Sequence, residues 1–99
     1  MGESKKQSDI IKALKVIGAY VIRVSASSRA GEHDLVVCYR PLDRPEMAGR
    51  FYTVEVKSSI GTASTLQLKK RQKIIEAGGK AIVSRTVRDA IKMLREDWI

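Results

Sequence analysis

The sequence predicts a single α/β domain in which a small mixed β-sheet is flanked by helices. Three stretches space their apolar residues as one helix face does, and four short runs are rich in β-branched and aromatic residues. Glycines, prolines and serines separate these stretches and give the order α-β-β-β-α-β-α. The 99 residues are enough for one domain, which we expect to span residues 1–99.

The first helix is predicted from an apolar i, i+4, i+7 stripe within residues 10–17. Ser4 followed by Gln7 has the spacing of a capping box and is expected to begin this helix. Gly18 is expected to end it, because glycine readily adopts the left-handed conformation of a helix C-cap.

The next three elements are strands, predicted at residues 20–24, 35–39 and 51–57. Residues 35–39 are apolar throughout, which predicts cover on both faces and a core position for Cys38. Residues 41–49 contain both prolines and form an exposed connection. A short connection of this kind favours an antiparallel hairpin between the second and third strands.

The C-terminal part is predicted to add a helix, a strand and a last helix. A possible capping box at Ser64 opens a helix to Ala77, which ends at the glycine pair 78–79. Residues 81–83 form the fourth strand, and Thr86 caps the last helix. A helix between the third and fourth strands favours a right-handed parallel crossover.

The charge balance favours a polyanionic partner. Nineteen Lys and Arg against eleven Asp and Glu give a net charge of +8, spread along the chain. Nucleic acid is the first expectation and an acidic membrane surface the second. With five aromatic residues, mostly in strands, a stacking platform for single strands is not expected, which favours duplex or junction backbones.

Several classes are excluded on the same evidence. No uncharged run is long and apolar enough to cross a membrane, and the first residues lack the apolar core of a secretory signal. A single cysteine cannot form an internal disulfide or a zinc site. These features predict a cytoplasmic protein.

The motif Glu55-Val56-Lys57 carries the chemical signal. Residues at i and i+2 of a strand point to the same side of the sheet. Burying two charges there without partners would cost roughly several kcal/mol for each charge. The pair is therefore either a salt bridge at the solvent end of the strand or part of a polar cleft. Asp34, just before the neighbouring strand, is expected at the same end of the sheet.

Asp34 and Glu55 together would suit a hard divalent cation. Mg²⁺ and Mn²⁺ take oxygen ligands from one or two carboxylates, water and a substrate phosphate. A bound cation acidifies water, and a nearby ammonium such as that of Lys57 stabilises charge on the phosphate. This combination is typical of a phosphodiesterase site.

A set of motifs then points to a known family. It consists of Gly31-x-x-Asp34, Glu55-Val56-Lys57, Gly61, Gln67 on a helix, and the Gly78-Gly79 pair. In these motifs, and from Glu3 to about Leu94, the chain resembles the VRR-NUC domain, the virus-type replication-repair nuclease branch of the PD-(D/E)XK superfamily. The resemblance implies a restriction-endonuclease-like core.

The resemblance also implies roles for individual residues. Asp34 and Glu55 would bind the metal, with the backbone carbonyl of Val56 as a further ligand. Lys57 would assist catalysis, and Gln67 would line the active site from its helix.

A glutamate in the first helix of the family corresponds to Glu3, a further candidate metal ligand. The capping box predicted at Ser4 conflicts with this, since it would leave Glu3 just outside the helix. The chain is also similar to the archaeal-type Holliday junction resolvases, whose functional serine would correspond to Ser27 or Ser28.

Basic residues near these motifs are candidates for DNA phosphate contacts, although such runs are also common on solvated helix faces. They are Lys5, Lys6, Arg29, Lys69, Lys70, Arg71 and Lys73.

The expected function is that of a Mg²⁺- or Mn²⁺-dependent DNA endonuclease acting on branched or junction DNA in phage-type replication, recombination or repair. No organic cofactor is expected, and the host cytoplasm is the expected location. One domain holds one site, so symmetric cutting of a junction would need a homodimer. The alternatives are an archaeal-type resolvase and a non-catalytic DNA-binding module on the same fold.

Overall fold

The computed structural model describes residues 2–24, 35–57, 65–96 and 98, without the side chains of residues 2–4 and 66. Helices and strands follow the predicted order. They are α1 (Gly2–Val16), β1 (Tyr20–Arg23), β2 (Leu35–Tyr39), β3 (Arg50–Val56), α2 (Thr65–Glu76), β4 (Lys80–Ser84) and α3 (Val87–Glu96).

The four described strands form one mixed sheet in the order β1-β2-β3-β4. β1 and β2 are antiparallel, as are β2 and β3, which confirms the predicted hairpin. β3 and β4 are parallel, with Val56 opposite Ser84, which confirms the crossover through α2. β3 therefore lies inside the sheet, with neighbours on both edges.

One face of the sheet carries the hydrophobic core. Alternate residues of β2 and β3 point into this core, and α1 and α3 lie against each other and the core strands. The buried residues are Ile10, Leu14, Ala19, Leu35, Val37, Tyr39, Tyr52, Val54, Val56, Ile82, Ala90 and Leu94.

Tyr52 joins this core to the end of α3. Its hydroxyl donates to the Leu94 carbonyl at 3.3 Å and accepts from Trp98 Nε1 at 2.9 Å. Tyr39 packs edge-on against both the Tyr52 and Trp98 rings. The two polar ends of Tyr52 and Trp98 are thus satisfied inside an apolar layer, which fixes α3 against β3.

The opposite face is only partly covered in the described part of the chain. α2 packs on it near β4, and the register places Tyr20, Cys38 and Phe51 on the same face, where all three are exposed. The prediction that both faces of β2 are covered, with Cys38 in the core, is wrong. A helix about 10 Å wide cannot cover four strands spaced about 4.8 Å apart.

Helix α1 begins earlier than predicted. It starts at Gly2, so Ser4 lies inside the helix and the capping box predicted there is wrong. The backbone of Glu3 is helical, which agrees with the helical glutamate that the resemblance implies. Ser4 lies in the first turn of α1, where the N–H groups have no partner within the helix. The capping-box motif at this position therefore does not fix the residue at which the helix begins.

Gly18 ends α1 as the sequence predicted. Gly18 has φ +96°, with Gly18 N–H donating to Lys15 O and Ala19 N–H to Leu14 O. This pair of bonds is the Schellman arrangement, which requires a residue in the left-handed region. Among the described residues, no helix is long and apolar enough to cross a membrane.

Thr86 caps α3 as predicted, because its Oγ1 accepts the Asp89 N–H at 3.0 Å. We expect Thr86→Ala to lower the free energy of unfolding by about 1 kcal/mol, since it leaves that N–H without its acceptor. Thr86→Ser keeps the oxygen and should retain most of the stability. Urea denaturation checks both variants, and equal losses in the two would contradict the cap.

Burial raises the pKa of the Tyr39 hydroxyl above its ordinary value, and Asp43 adds to the shift while Arg95 opposes it. The folded state therefore holds this proton more tightly than the unfolded chain. Tyr39 contributes its full stability below about pH 10, the unfolded pKa, and loses it as the pH rises through the folded pKa. The difference in unfolding free energy between the wild type and Tyr39→Phe should be constant below about pH 10 and should shrink as the pH rises above that value; a difference that stays constant above pH 10 would contradict it.

Candidate active site

Glu55 is a buried carboxylate near the C-terminal end of β3. Its side chain is fully buried and lies on the face of the sheet covered by α2. Lys57 follows the strand, and its backbone N–H donates to the Ser84 carbonyl at 2.9 Å. Lys57 Nζ lies 3.4 Å from Glu55 Oε2, so the two charges form an ion pair. Since Glu55 is fully buried, the exposed surface salt bridge considered from sequence does not describe this pair.

Two side chains of α2 also contact this pair. Gln67 Oε1 accepts from Lys57 Nζ at 3.2 Å. Arg71 Nη2 lies 3.9 Å from Glu55 Oε1. We call Glu55, Lys57, Gln67 and Arg71 the Glu55 cluster. It brings together a carboxylate, two cations and a neutral amide.

The cluster follows from the way α2 runs back along β3. Four residues of helix advance about 6 Å, and two residues of strand advance about 6.6 Å. A helix antiparallel to the strand can therefore place Gln67 over Lys57 and Arg71 over Glu55. Arg71 belongs to the run of basic residues predicted as DNA phosphate contacts, but its contact with Glu55 was not predicted, although its position four residues after Gln67 was a usable signal.

Lys6 reaches the same end of β3 from α1. Its Nζ donates to the Lys57 carbonyl at 3.3 Å, and the contact is part-buried. This ammonium is therefore next to the Glu55 cluster. Lys5 behaves differently, since it is exposed and forms an i, i+4 pair with Asp9 at 3.5 Å.

Two lysines of α2, Lys70 and Lys73, lie toward the other end of β3 from the cluster. They line a shallow cavity with Gly79 and with Phe51, which is at the opposite end of β3 from Lys57. Lys69 is exposed. Any DNA phosphates that Lys70 and Lys73 contact would therefore be several ångströms from the Glu55 cluster.

Three predicted site residues, Asp34, Ser27 and Arg29, lie outside the described residues, as does the alternative Ser28. Of Glu3, only the helical backbone is described. Leu35 pairs with Val54, so β2 begins beside the Glu55 end of β3, as predicted.

The described donors suit a hard cation. The carboxylate of Glu55 supplies oxygen, and the alternation of β3 turns the Val56 carbonyl away from β4, because the neighbouring Lys57 N–H faces that strand. No group of three or more His, Cys, Asp and Glu side chains occurs within the described ranges. The described part therefore contains oxygen donors of the type that a hard divalent cation takes.

Fold and site together define a class: an α/β domain with a cluster of acidic and basic side chains at the C-terminal end of a central strand. A solved structure described as a VRR_NUC domain superposes with a TM-score of 0.74 at 22% identity, covering 98% of this chain and 97% of that one. The chain therefore has the fold of a VRR_NUC domain over nearly its whole length, which confirms the fold that the sequence motifs predicted. No family model and no curated protein matches the sequence.

The burial of the Glu55–Lys57 pair makes a stability prediction. Lys57→Met leaves a buried carboxylate with Arg71 as its remaining described counter-ion, so we expect a loss of about 2–3 kcal/mol, below the full cost of breaking a buried pair. Lys5→Met is the matched control, because the Lys5–Asp9 pair has a similar distance but is exposed. Its cost should be under about 0.5 kcal/mol.

Both variants are compared by urea denaturation, and Glu55→Gln in the Lys57→Met background should recover part of the loss. Similar small losses in the two lysine variants would contradict the buried ion pair.

Proposed function

We propose that this protein is a divalent-metal-dependent DNA endonuclease. The observation that carries the proposal is the buried Glu55 carboxylate ion-paired with Lys57, whose ammonium is held by Gln67. The fold shared with a VRR_NUC domain supports it, since the name of that domain denotes a nuclease. The net charge of +8 supports a DNA substrate.

Glu55 and the Val56 carbonyl would hold the cation, Mg²⁺ or Mn²⁺. Asp34, which directly precedes Leu35 in the chain, and Glu3 in α1 are the further proposed ligands. A bound cation would supply a more acidic water and an electrophilic contact to a phosphate oxygen. The strand fixes Glu55 in direction, since β3 has hydrogen-bonded neighbours on both edges.

Lys57 is the proposed catalytic cation. Its Nζ donates to Gln67 Oε1 and lies beside Glu55, so the ammonium has a fixed position. From there it can donate to a phosphate oxygen and stabilise the negative charge that develops during attack by water. Gln67 has no charge of its own and acts by holding Lys57.

Lys6 is the proposed phosphate contact nearest to this site, because its ammonium touches the Lys57 carbonyl. Lys5, Arg29, Ser27, Lys69, Lys70 and Lys73 are the further proposed DNA contacts. Contacts of this type read phosphate positions and not base sequence, which favours selection of DNA by structure.

The proposed substrate is branched or four-way DNA. The proposed process is phage-type replication, recombination or repair, and the proposed location is the host cytoplasm. One site per domain cannot cut a junction symmetrically, so a homodimer is proposed for that substrate.

Glu55→Gln should reduce Mn²⁺- or Mg²⁺-dependent cleavage by about a hundredfold or more, because it removes a charged ligand while keeping the shape of the side chain. DNA affinity, measured by gel shift without metal, should stay within about threefold, since a neutral substitution removes no positive charge. Glu76→Gln is the control, because Glu76 is exposed on the same helix as Gln67 and its described bond is to Gln72. It should cleave like the wild type.

The substrate is tested with linear, flap, splayed and four-way DNA, each with Mg²⁺ and with Mn²⁺. Faster cutting of four-way DNA by a dimer, sized by light scattering, would support the proposed setting. Binding without cleavage of any substrate in either metal would contradict the nuclease and favour a non-catalytic DNA-binding module.

A further inference from the structure

Glu55 has two cationic neighbours, and they are held in different ways. Lys57 Nζ is 3.4 Å from one carboxylate oxygen and also donates to Gln67. Arg71 Nη2 is 3.9 Å from the other oxygen, which is beyond hydrogen-bond range. Neither contact with a Glu55 oxygen is a hydrogen bond, so both cations interact with Glu55 through charge. Lys57 is held in addition by its bond to Gln67, whereas the described contact of Arg71 is with Glu55 alone.

Arg71 is also incompletely satisfied. Its Nε is buried, and within the described ranges that N–H has no hydrogen-bond acceptor. The side chain is 26% exposed, so part of the guanidinium reaches solvent. An arginine with five donors in a fixed fork forms strong two-point contacts with phosphate. The fork of Arg71 does not make such a contact with Glu55.

We propose that Arg71 is an exchanging counter-ion. It neutralises Glu55 in the metal-free protein, leaves Glu55 when a divalent cation binds there, and then contacts a phosphate of the DNA. This inference rests on the proposed function, because it assumes that Glu55 is a metal ligand.

The charge balance at Glu55 favours the exchange. A fully buried carboxylate needs a counter-charge, which Lys57 and Arg71 provide without metal. A divalent cation would add two further positive charges beside the same group and repel both side chains. Of the two, Arg71 is the less firmly held and has a solvent-facing part, so it is the one that moves.

The position of Arg71 suits the second step of the exchange, its contact with a DNA phosphate. Arg71 is one helical turn from Gln67, which holds the proposed catalytic Lys57. A phosphate next to the metal would therefore lie within reach of a long arginine side chain. Contact there would complete the fork that Glu55 leaves open.

The first test measures Mn²⁺ affinity by calorimetry without DNA, for the wild type, Arg71→Met and Arg88→Met. Arg71→Met removes a competing positive charge and should bind Mn²⁺ about tenfold more tightly, the effect of a 2+ and a 1+ charge about 6 Å apart in water. Arg88 is exposed on α3, so Arg88→Met removes the same charge elsewhere and should leave the affinity unchanged. Unchanged or weaker Mn²⁺ binding by Arg71→Met would overturn the proposal.

The second test measures DNA affinity in EDTA and in Ca²⁺, an ion that takes the same kind of oxygen ligands. Arg71→Met should bind DNA about tenfold more weakly than wild type in Ca²⁺, the value of a charge-assisted contact, but nearly as well as wild type in EDTA. Equal losses in both conditions would show a metal-independent contact and overturn the exchange.

These two readouts are separate from cleavage. A wild-type protein that cuts no DNA would refute the nuclease, while the Mn²⁺ and Ca²⁺ titrations still decide the role of Arg71. Cleavage by the wild type with no change in Mn²⁺ affinity for Arg71→Met would keep the nuclease and reject the exchange.

Discussion

The burial of a single carboxylate, that of Glu55, constrains the arrangement of the rest of the site. An ionised group taken out of water loses several kcal/mol of hydration, which must be offset by nearby cations and donors. Lys57 provides one cation from the position directly after the same strand, and Arg71 provides another from α2. The helix must therefore lie over β3 in one register. The crossover that makes β4 parallel to β3 is the connection that puts it there.

The element order and strand directions could be predicted because they depend on local patterns. Apolar periodicity marked the helices, and the cap at Thr86 and the turn at Gly18 depend on contacts within a few residues. The errors concern long-range packing or helix ends. Cys38 lies in an apolar run, but its exposure depends on how far α2 extends across the sheet, which no local pattern reports. Ser4 is a good capping residue, yet the helix continues past it to Gly2.

The site residues that depend on a local pattern could also be predicted from the sequence. Glu55 and Lys57 follow from two charges at i and i+2 of an apolar strand, and the structure confirms that they share a face and lie in contact. Gln67 was expected only through the family resemblance, and its contact with Lys57 is now a geometric fact. The contact of Arg71 with Glu55 was not predicted, because a run of basic residues gives no sign of which member points inward. The antiparallel match of a helix turn to two strand residues is the physical rule that selects it.

The alternation of β3 explains how a small domain can hold a buried charge without losing its core. Tyr52, Val54 and Val56 point into the apolar layer, where Tyr52 is bonded to Leu94 and Trp98. Glu55 and Lys57 point to the other face, toward α2. Because successive residues of a strand face opposite sides, the apolar contacts that fix the strand are one residue away from the charges that it carries. The core thus sets the position of the carboxylate, and the cost of burying it is met on the opposite face by Lys57 and Arg71. A change in either cation alters the site chemistry directly, whereas a change in the core acts by moving β3.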